Sequence, residues 1–105
     1  MATTPSKHYQ MLKERHPGFL NAVEALGESV KNEGPLDEKT AQLIQLAAAA
    51  ANRSEGSVHS HTRRALDAGA TVNEIHHAII LLTGTIGFPN VAAALSWADD
   101  VIGKK

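Results

Sequence analysis

The chain contains no cysteine. That excludes disulfides and every thiol mechanism outright. Aromatic side chains are almost as scarce. Phe19, Phe88, Tyr9 and Trp97 are the whole set, so burial falls to Ala, Leu, Ile and Val, with alanine-rich runs at 47–51 and 92–94. A bulk field of one sign is also missing. The net charge is −1 with histidines neutral. Basic residues adjoin only at Arg63-Arg64 and Lys104-Lys105, so neither nucleic acid nor an anionic membrane is an expected partner. No apolar stretch reaches the length of a membrane span. The opening MATTPSKHYQ lacks the apolar core of a signal peptide, so a soluble cytoplasmic protein is expected.

With 105 residues, the chain is expected to form one domain over 1–105, with residues 1–7 frayed or disordered. What is present is helical punctuation. HYQMLKER reads as a short helix, His16-Pro17-Gly18 as a break, and a second helix runs to about Lys31. Phe19, Val23, Leu26 and Val30 give that second helix an apolar stripe. Residues 32–35 form a loop, and Asp37 caps a helix through EKTAQLIQLAAAAAN. The stretch RSEGSVHSHTRRALDAGAT opens the next helix, which Gly69 ends at C′. Thr71 and Glu74 make a capping-box pattern ahead of IHHAIILLTGTIG. Gly87 breaks that helix, and Pro89 suits the first turn of a last one. No segment alternates with period two for long enough to argue a strand. The expected fold is all-α, a bundle of about six helices.

The last two helices are apolar on more than one side. Ile75, Ile79, Leu82 and Ile86 share one face of the fifth, while Ala78, Ile80 and Leu81 lie elsewhere around it. In the sixth, Val91, Leu95, Ala98 and Ile102 form one stripe and Ala94, Trp97 and Val101 a second. So small a domain has little protein with which to cover both. One stripe can serve the core and the other a partner subunit, and a homo-oligomer is expected; a compact monomer with a few exposed apolar side chains is the plainer alternative.

On a helix turning about 100° per residue, Ser54, Ser57, His61 and Arg64 fall on one stripe. They lie beside the apolar stripe of Val58, Thr62, Ala65 and Leu66. His59 lies about 200° from His61 by the same geometry. The pair cannot chelate as neighbours on a helix, and His76-His77 likewise diverges, so no metal is expected within one chain; a site shared between subunits stays open. A hydroxyl one turn from an imidazole can be activated by it, and a helix N-terminus favours an anion. The plainer reading of the same residues is that Ser54 caps the helix, Ser57 bonds backbone, and His61 is a boundary histidine.

LDEKTAQLIQLAAAAANRSEGSVHSHTRRALDAGATVNEIHHAIILL resembles the core of the carboxymuconolactone decarboxylase/alkylhydroperoxidase AhpD-like family. The likeness covers about residues 36–102. Its most specific part is HTRRALDAGATVNEI, where His61, Ala65, Gly69 and Glu74 fit the family pattern. In the peroxidase branch the resemblance places two cysteines at the positions of Ser54 and Ser57, a relay glutamate at Gln42 and a histidine at Gly56. Only His61 is retained. A serine hydroxyl cannot cycle through disulfide and sulfenic states, so thiol peroxidase activity is not expected. Gln42 cannot titrate, so the relay is not expected either.

The decarboxylase branch keeps the histidine without the cysteines, and its substrates are ring-opened aromatic lactone acids. The resemblance therefore implies a lyase or hydrolase acting on a small carboxylated lactone, with His61 as general base or acid. Ser54 and Ser57 would be catalytic neighbours, Arg64 or Arg63 would hold the carboxylate, and Gln42, Glu55 and His59 would serve binding. A pocket at this stripe, closed by Phe88 or Trp97, is expected. No cofactor is expected. A small acidic ligand is, and the resemblance implies a trimer or a trimer of dimers, that is, a hexamer. The alternative is a non-catalytic oligomeric module that binds a small molecule or serves assembly.

Overall fold

The computed structural model describes residues 5–103. They form α1 (Lys7–Arg15), α2 (Pro17–Lys31), α3 (Glu38–Ala51), α4 (Glu55–Asp67), α5 (Val72–Ile80), α6 (Thr83–Ile86) and α7 (Phe88–Ile102). No strand occurs among the described residues, as the missing period-two alternation predicts. Of the segment 1–7 expected to be frayed, residues 5–7 are described. Ser6 Oγ accepts the Tyr9 N–H at 3.1 Å and Lys7 already opens α1; residues 1–4, like the basic pair at 104–105, lie outside the described residues.

Local chemistry sets most of the boundaries. Asp37 accepts the Thr40 N–H at 2.8 Å and starts α3. Thr71 and Glu74 exchange both bonds of a capping box, at 3.0 and 2.9 Å, and start α5. These side chains satisfy amide donors that the first turn leaves without a partner. The break expected at 16–18 narrows to one residue. His16 closes α1, and Pro17 sits at the first position of α2, where its missing N–H has no helical role.

Two turns bracket α4. Behind it, the N–H of Ala70 reaches the Ala65 carbonyl at 2.9 Å and that of Gly69 reaches Leu66 at 3.0 Å. Gly69 adopts φ 97°, a left-handed conformation that favours glycine. Ahead of it, Ser54 N–H reaches Ala49 at 3.1 Å and Arg53 N–H reaches Ala50 at 3.0 Å. There the left-handed position is occupied by Arg53, with φ 53°. The same motif thus recurs with a residue that carries a Cβ, and it delivers Ser54 as the cap of α4.

The single helix expected through IHHAIILLTGTIG divides into α5 and α6. Leu82 N–H bonds Ile79 three residues back at 3.0 Å, and the Thr83 hydroxyl donates to the Ile80 carbonyl at 2.7 Å. A β-branched residue whose hydroxyl competes for a helical carbonyl, followed by Gly84, weakens the ladder at that point.

The core lies between α3, α4, α5 and α7, with α3 and α4 the most closely packed pair. Leu46, Ala49 and Ala50 meet Val58 and Ala65, and Ala70, Ile75, Ile79, Val91, Ala94 and Ala98 complete the cluster. Alanine at so many of these contacts lets helices approach closely. The two stripes of the last helix do not divide between core and outside. Val91 and Ala98 from one and Ala94 from the other are all buried, and Leu95, Trp97 and Ile102 pack against them.

The apolar surface left over lies elsewhere. On α2 the whole predicted stripe is exposed: Phe19 by 64%, Val23 by 46%, Leu26 by 64% and Val30 by 53%. The face that α2 turns inward carries Leu20, Gly27 and Lys31. Leu36, Ile44, Ile80, Leu81 and Phe88 extend the uncovered apolar surface.

Candidate functional site

His61 sits on α4 with Ser57 one turn before it and Arg64 one turn after. Its ring is half-buried and turned toward α3, where Nδ1 lies 2.9 Å from Gln42 Oε1. Gln42 is fully buried. Its amide Nε2 donates in turn to Glu38 Oε2 at 2.8 Å, one turn earlier on α3. Glu38 Oε1 receives Lys31 Nζ at 2.9 Å from the end of α2. A continuous polar line therefore runs Lys31–Glu38–Gln42–His61 across three helices.

The electrostatics follow from that placement. Burial, and then the nearby positive charge of Arg64, push the His61 pKa down from 6.5 to about 4. At neutral pH the ring is uncharged. The Glu38 pKa is lowered as well, but in a carboxyl that favours the charged form: bonds from Gln42 and Lys31 hold it below the ordinary value, so it is ionised. The charge of Arg64 acts on His61, on Glu38 and on Tyr9 of α1. These groups share one end of the molecule, where the α1–α2 hairpin meets α3 and α4. Tyr9 donates to Glu24, and Lys13 bonds the same carboxylate at 3.1 Å, which joins the two helices of the hairpin.

The other expected site residues are not all gathered at this end. Ser54 Oγ accepts the Ser57 N–H at 3.4 Å as the cap of α4, the plainer of its two readings. Ser57 is partly buried and shares the helix face of His61. Arg64 is exposed on the same side. Arg63 is partly buried and feels the charge of Asp67; it lies about 200° around the helix from His61.

Glu55 and His59 belong to a different flank. His59 Nε2 is 3.2 Å from Asp100 Oδ2 on α7 and 3.8 Å from Glu55 Oε2. Within one protomer the divergence of His59 from His61 sends one ring to α7 and the other to α3. The ligating atoms of Glu55, His59 and Asp100 lie within 4.8 Å of one another, a spacing that could admit a cation. Reading the sequence for near pairs overlooked this trio, since Asp100 arrives from another helix. A carboxylate only accepts, so His59 Nε2 donates to Asp100 at 3.2 Å and ties α4 to α7. The second histidine pair diverges as expected. His76 Nε2 is 2.7 Å from Asp99 Oδ1 on α7, whereas His77 lines a groove beside α3.

Among the described residues, two open apolar grooves stand out, and His61 is not in the lining of either. One of about 240 Å³ runs between the end of α2 and α3, along Val30, Lys31, Leu36, Ile44 and Gln45. The other, about 380 Å³, lies between α3 and α5 along Leu43, Ile44, His77 and Leu81. Phe88 is exposed and Trp97 packs on the core, and neither lines these grooves. Glu38 and Lys31 are the residues that the sequence reading missed. The available signal was the four-residue spacing between Glu38 and Gln42, which places both on one face of α3.

Residues 17–100 match the carboxymuconolactone decarboxylase family. Over 99 residues the chain is 29% identical to an uncharacterized protein of Methanocaldococcus jannaschii, covering 94% of this chain and 92% of that one. An uncharacterized protein of Haemophilus influenzae is 36% identical over 59 residues, 56% of this chain and 52% of its own. The fold superposes on the apo crystal structure of a carboxymuconolactone decarboxylase family protein from Legionella pneumophila with a TM-score of 0.73. That likeness covers 90% of this chain and 87% of the other at 23% identity. A helical core of this shape, and a family match running from the start of α2 almost to the end of α7, lead to one assignment: the chain belongs to the carboxymuconolactone decarboxylase family.

Proposed function

We propose that the chain is a lyase or hydrolase for a small carboxylated lactone, with His61 as its proton-transfer group. The observation that carries this reading is the bond from His61 to the fully buried Gln42. It holds an uncharged imidazole at fixed orientation on a half-buried helix face. A neutral ring accepts a proton before it donates one, so His61 acts first as the base. When CO2 leaves a carboxylated lactone, the electron pair of the broken C–C bond moves into the adjacent carbonyl, the nearby cation Arg64 stabilises the enolate so formed, and the proton that His61 has taken up is delivered to carbon. Ser57, on the same face, is placed to hydrogen-bond the ligand. Bringing an anion beside the ring raises its pKa, which strengthens the base when substrate is bound.

The test is turnover. His61→Ala is expected to abolish conversion of any carboxylated lactone that the parent accepts, followed by ring absorbance and CO2 release, with the helical circular dichroism unchanged. Turnover equal to the parent's would end the proposal.

A second reading, a non-catalytic oligomeric module for small-molecule binding or assembly, has its own support. Ser54 is engaged as a cap, and both apolar grooves lie away from His61. In either case we expect the working particle to be a homo-oligomer, a trimer or a trimer of dimers, because an isolated chain leaves the α2 stripe uncovered. Sedimentation at micromolar concentration that finds only the 11.1 kDa chain would refute this.

A further inference from the structure

We infer that Glu38, acting through the side-chain amide of Gln42, fixes His61 as its Nδ1–H tautomer and leaves Nε2 as the nitrogen with the free lone pair. Glu38 is ionised, held so by Lys31 Nζ at 2.9 Å and by the Gln42 amide. A carboxylate can only accept hydrogen bonds. At 2.8 Å from Glu38 Oε2, Gln42 must therefore present its NH2 group. An amide has one oxygen and one nitrogen at opposite corners, so presenting NH2 to Glu38 leaves Oε1 for the other neighbour. That neighbour is His61 Nδ1, at 2.9 Å.

An amide oxygen also only accepts, so Nδ1 must carry the hydrogen. The direction of every proton in the line is thus set by one charge, two bonds away from the ring. Turning the amide over would set two acceptors against each other at Glu38 and leave a buried NH2 facing Nδ1. Among the described residues only Gln42 bonds the His61 ring. Arg64, one turn along α4, is a cation and cannot accept, so it does not compete for Nδ1–H.

In free imidazole side chains the Nε2–H form is the commoner neutral tautomer, so this is a selection against the default. Glu38 is a positioning residue: it does not touch a ligand, but it decides which ring nitrogen can take a proton. Lys31 extends the line into α2 by holding the Glu38 carboxylate in place. The consequence for chemistry rests on the function proposed for His61; the tautomer itself does not.

The experiment is a long-range 1H–15N correlation spectrum of the 15N-labelled full chain at pH 7, with no ligand added. His61 is identified by the signals that vanish in His61→Ala. The expected result is a protonated-type Nδ1 and an unprotonated Nε2. In Glu38→Gln, an isosteric change at a half-exposed helix start, the neighbour of Gln42 can donate or accept, and the amide is free to adopt either orientation. The Nε2–H fraction is expected to rise by roughly tenfold, since a charge-assisted bond no longer holds the direction. A wild-type Nε2–H ring would overturn the inference by itself, whatever happens to the variant. So would a Glu38→Gln spectrum unchanged from wild type. Because tautomer and turnover are read separately, loss of one conclusion leaves the other standing.

Discussion

The α1–α2 hairpin and the α3–α7 body are built from similar residues and reach opposite ends. The stripes of α5 and α7 bury Ile75, Ile79, Val91 and Ala98, while the equally regular stripe of α2 stays in solvent. The less exposed positions of α2 are Leu20, Gly27 and Lys31. Periodicity announces that a helix has an apolar face; it does not say which molecule will cover that face. In the body the cover is intramolecular. For the hairpin the described residues of one chain supply none, and a polar contact joins hairpin to body, Lys31 to Glu38 at 2.9 Å.

That contrast breaks most sharply in stability measurements. Ile79→Ala in the body is expected to cost about 2–5 kcal/mol of unfolding free energy, from lost transfer and a cavity, in urea titrations at every protein concentration. Leu26→Ala on α2 is expected to show little loss in dilute solution and a loss that grows as the protein is concentrated, if the contacts it removes lie between chains. A concentration-independent loss at Leu26 equal to that at Ile79 would mean the hairpin folds back onto its own body in solution. Next in size is association. Replacing Phe19 and Leu26 together by serine is expected to move the sedimenting species toward 11.1 kDa while helical circular dichroism is kept. Serine at Leu46, a core position, would instead unfold the chain.

Acid titration sharpens the comparison at the seam where hairpin and body meet. His61 has its pKa depressed from 6.5 to about 4 in the folded chain. Between those values the unfolded chain binds a proton there that the folded one does not. Stability from this site is therefore full above pH 6.5, falls as the pH drops toward 4, and levels off below. The wild-type urea midpoint should decline across that window more steeply than that of His61→Asn, the difference curve isolating this group from the other carboxyls and histidines. Parallel curves would contradict a buried neutral ring. Smallest of all are the two turns flanking α4. Gly69→Ala should cost about 1 kcal/mol, since a Cβ disfavours a left-handed backbone, whereas Arg53→Gly should gain no more than about that amount, its relief being offset by the flexibility of glycine when unfolded.

Within the candidate site, legibility in the sequence followed distance along the chain. Ser54, Ser57, His61 and Arg64 could be placed on one stripe because they lie within three turns of one helix. So could the divergence of His59, which the structure turns to Asp100. Gln42 was identified through a resemblance, and its bond to His61 crosses between helices. Glu38 and Lys31 went unread, because nothing local marks a surface carboxylate as the end of a buried polar line. The division of the fifth predicted helix at Leu81-Leu82 was also missed: the apolar pattern continues through it, and only the Thr83 hydroxyl, bonded to Ile80 at 2.7 Å, reveals the competition.

The sequence by itself determined most helix boundaries, since Asp37, Thr71, Gly69, Gly87 and the prolines act through bonds and torsions within a few residues of themselves. It also settled that no thiol chemistry is available. Only the tertiary structure decided which apolar stripe is buried, which histidine meets the buried glutamine and which meets Asp100, and how one carboxylate directs a ring two bonds away. Those outcomes depend on atoms that become neighbours only when helices pack, and no local pattern in the chain encodes the choice of neighbour.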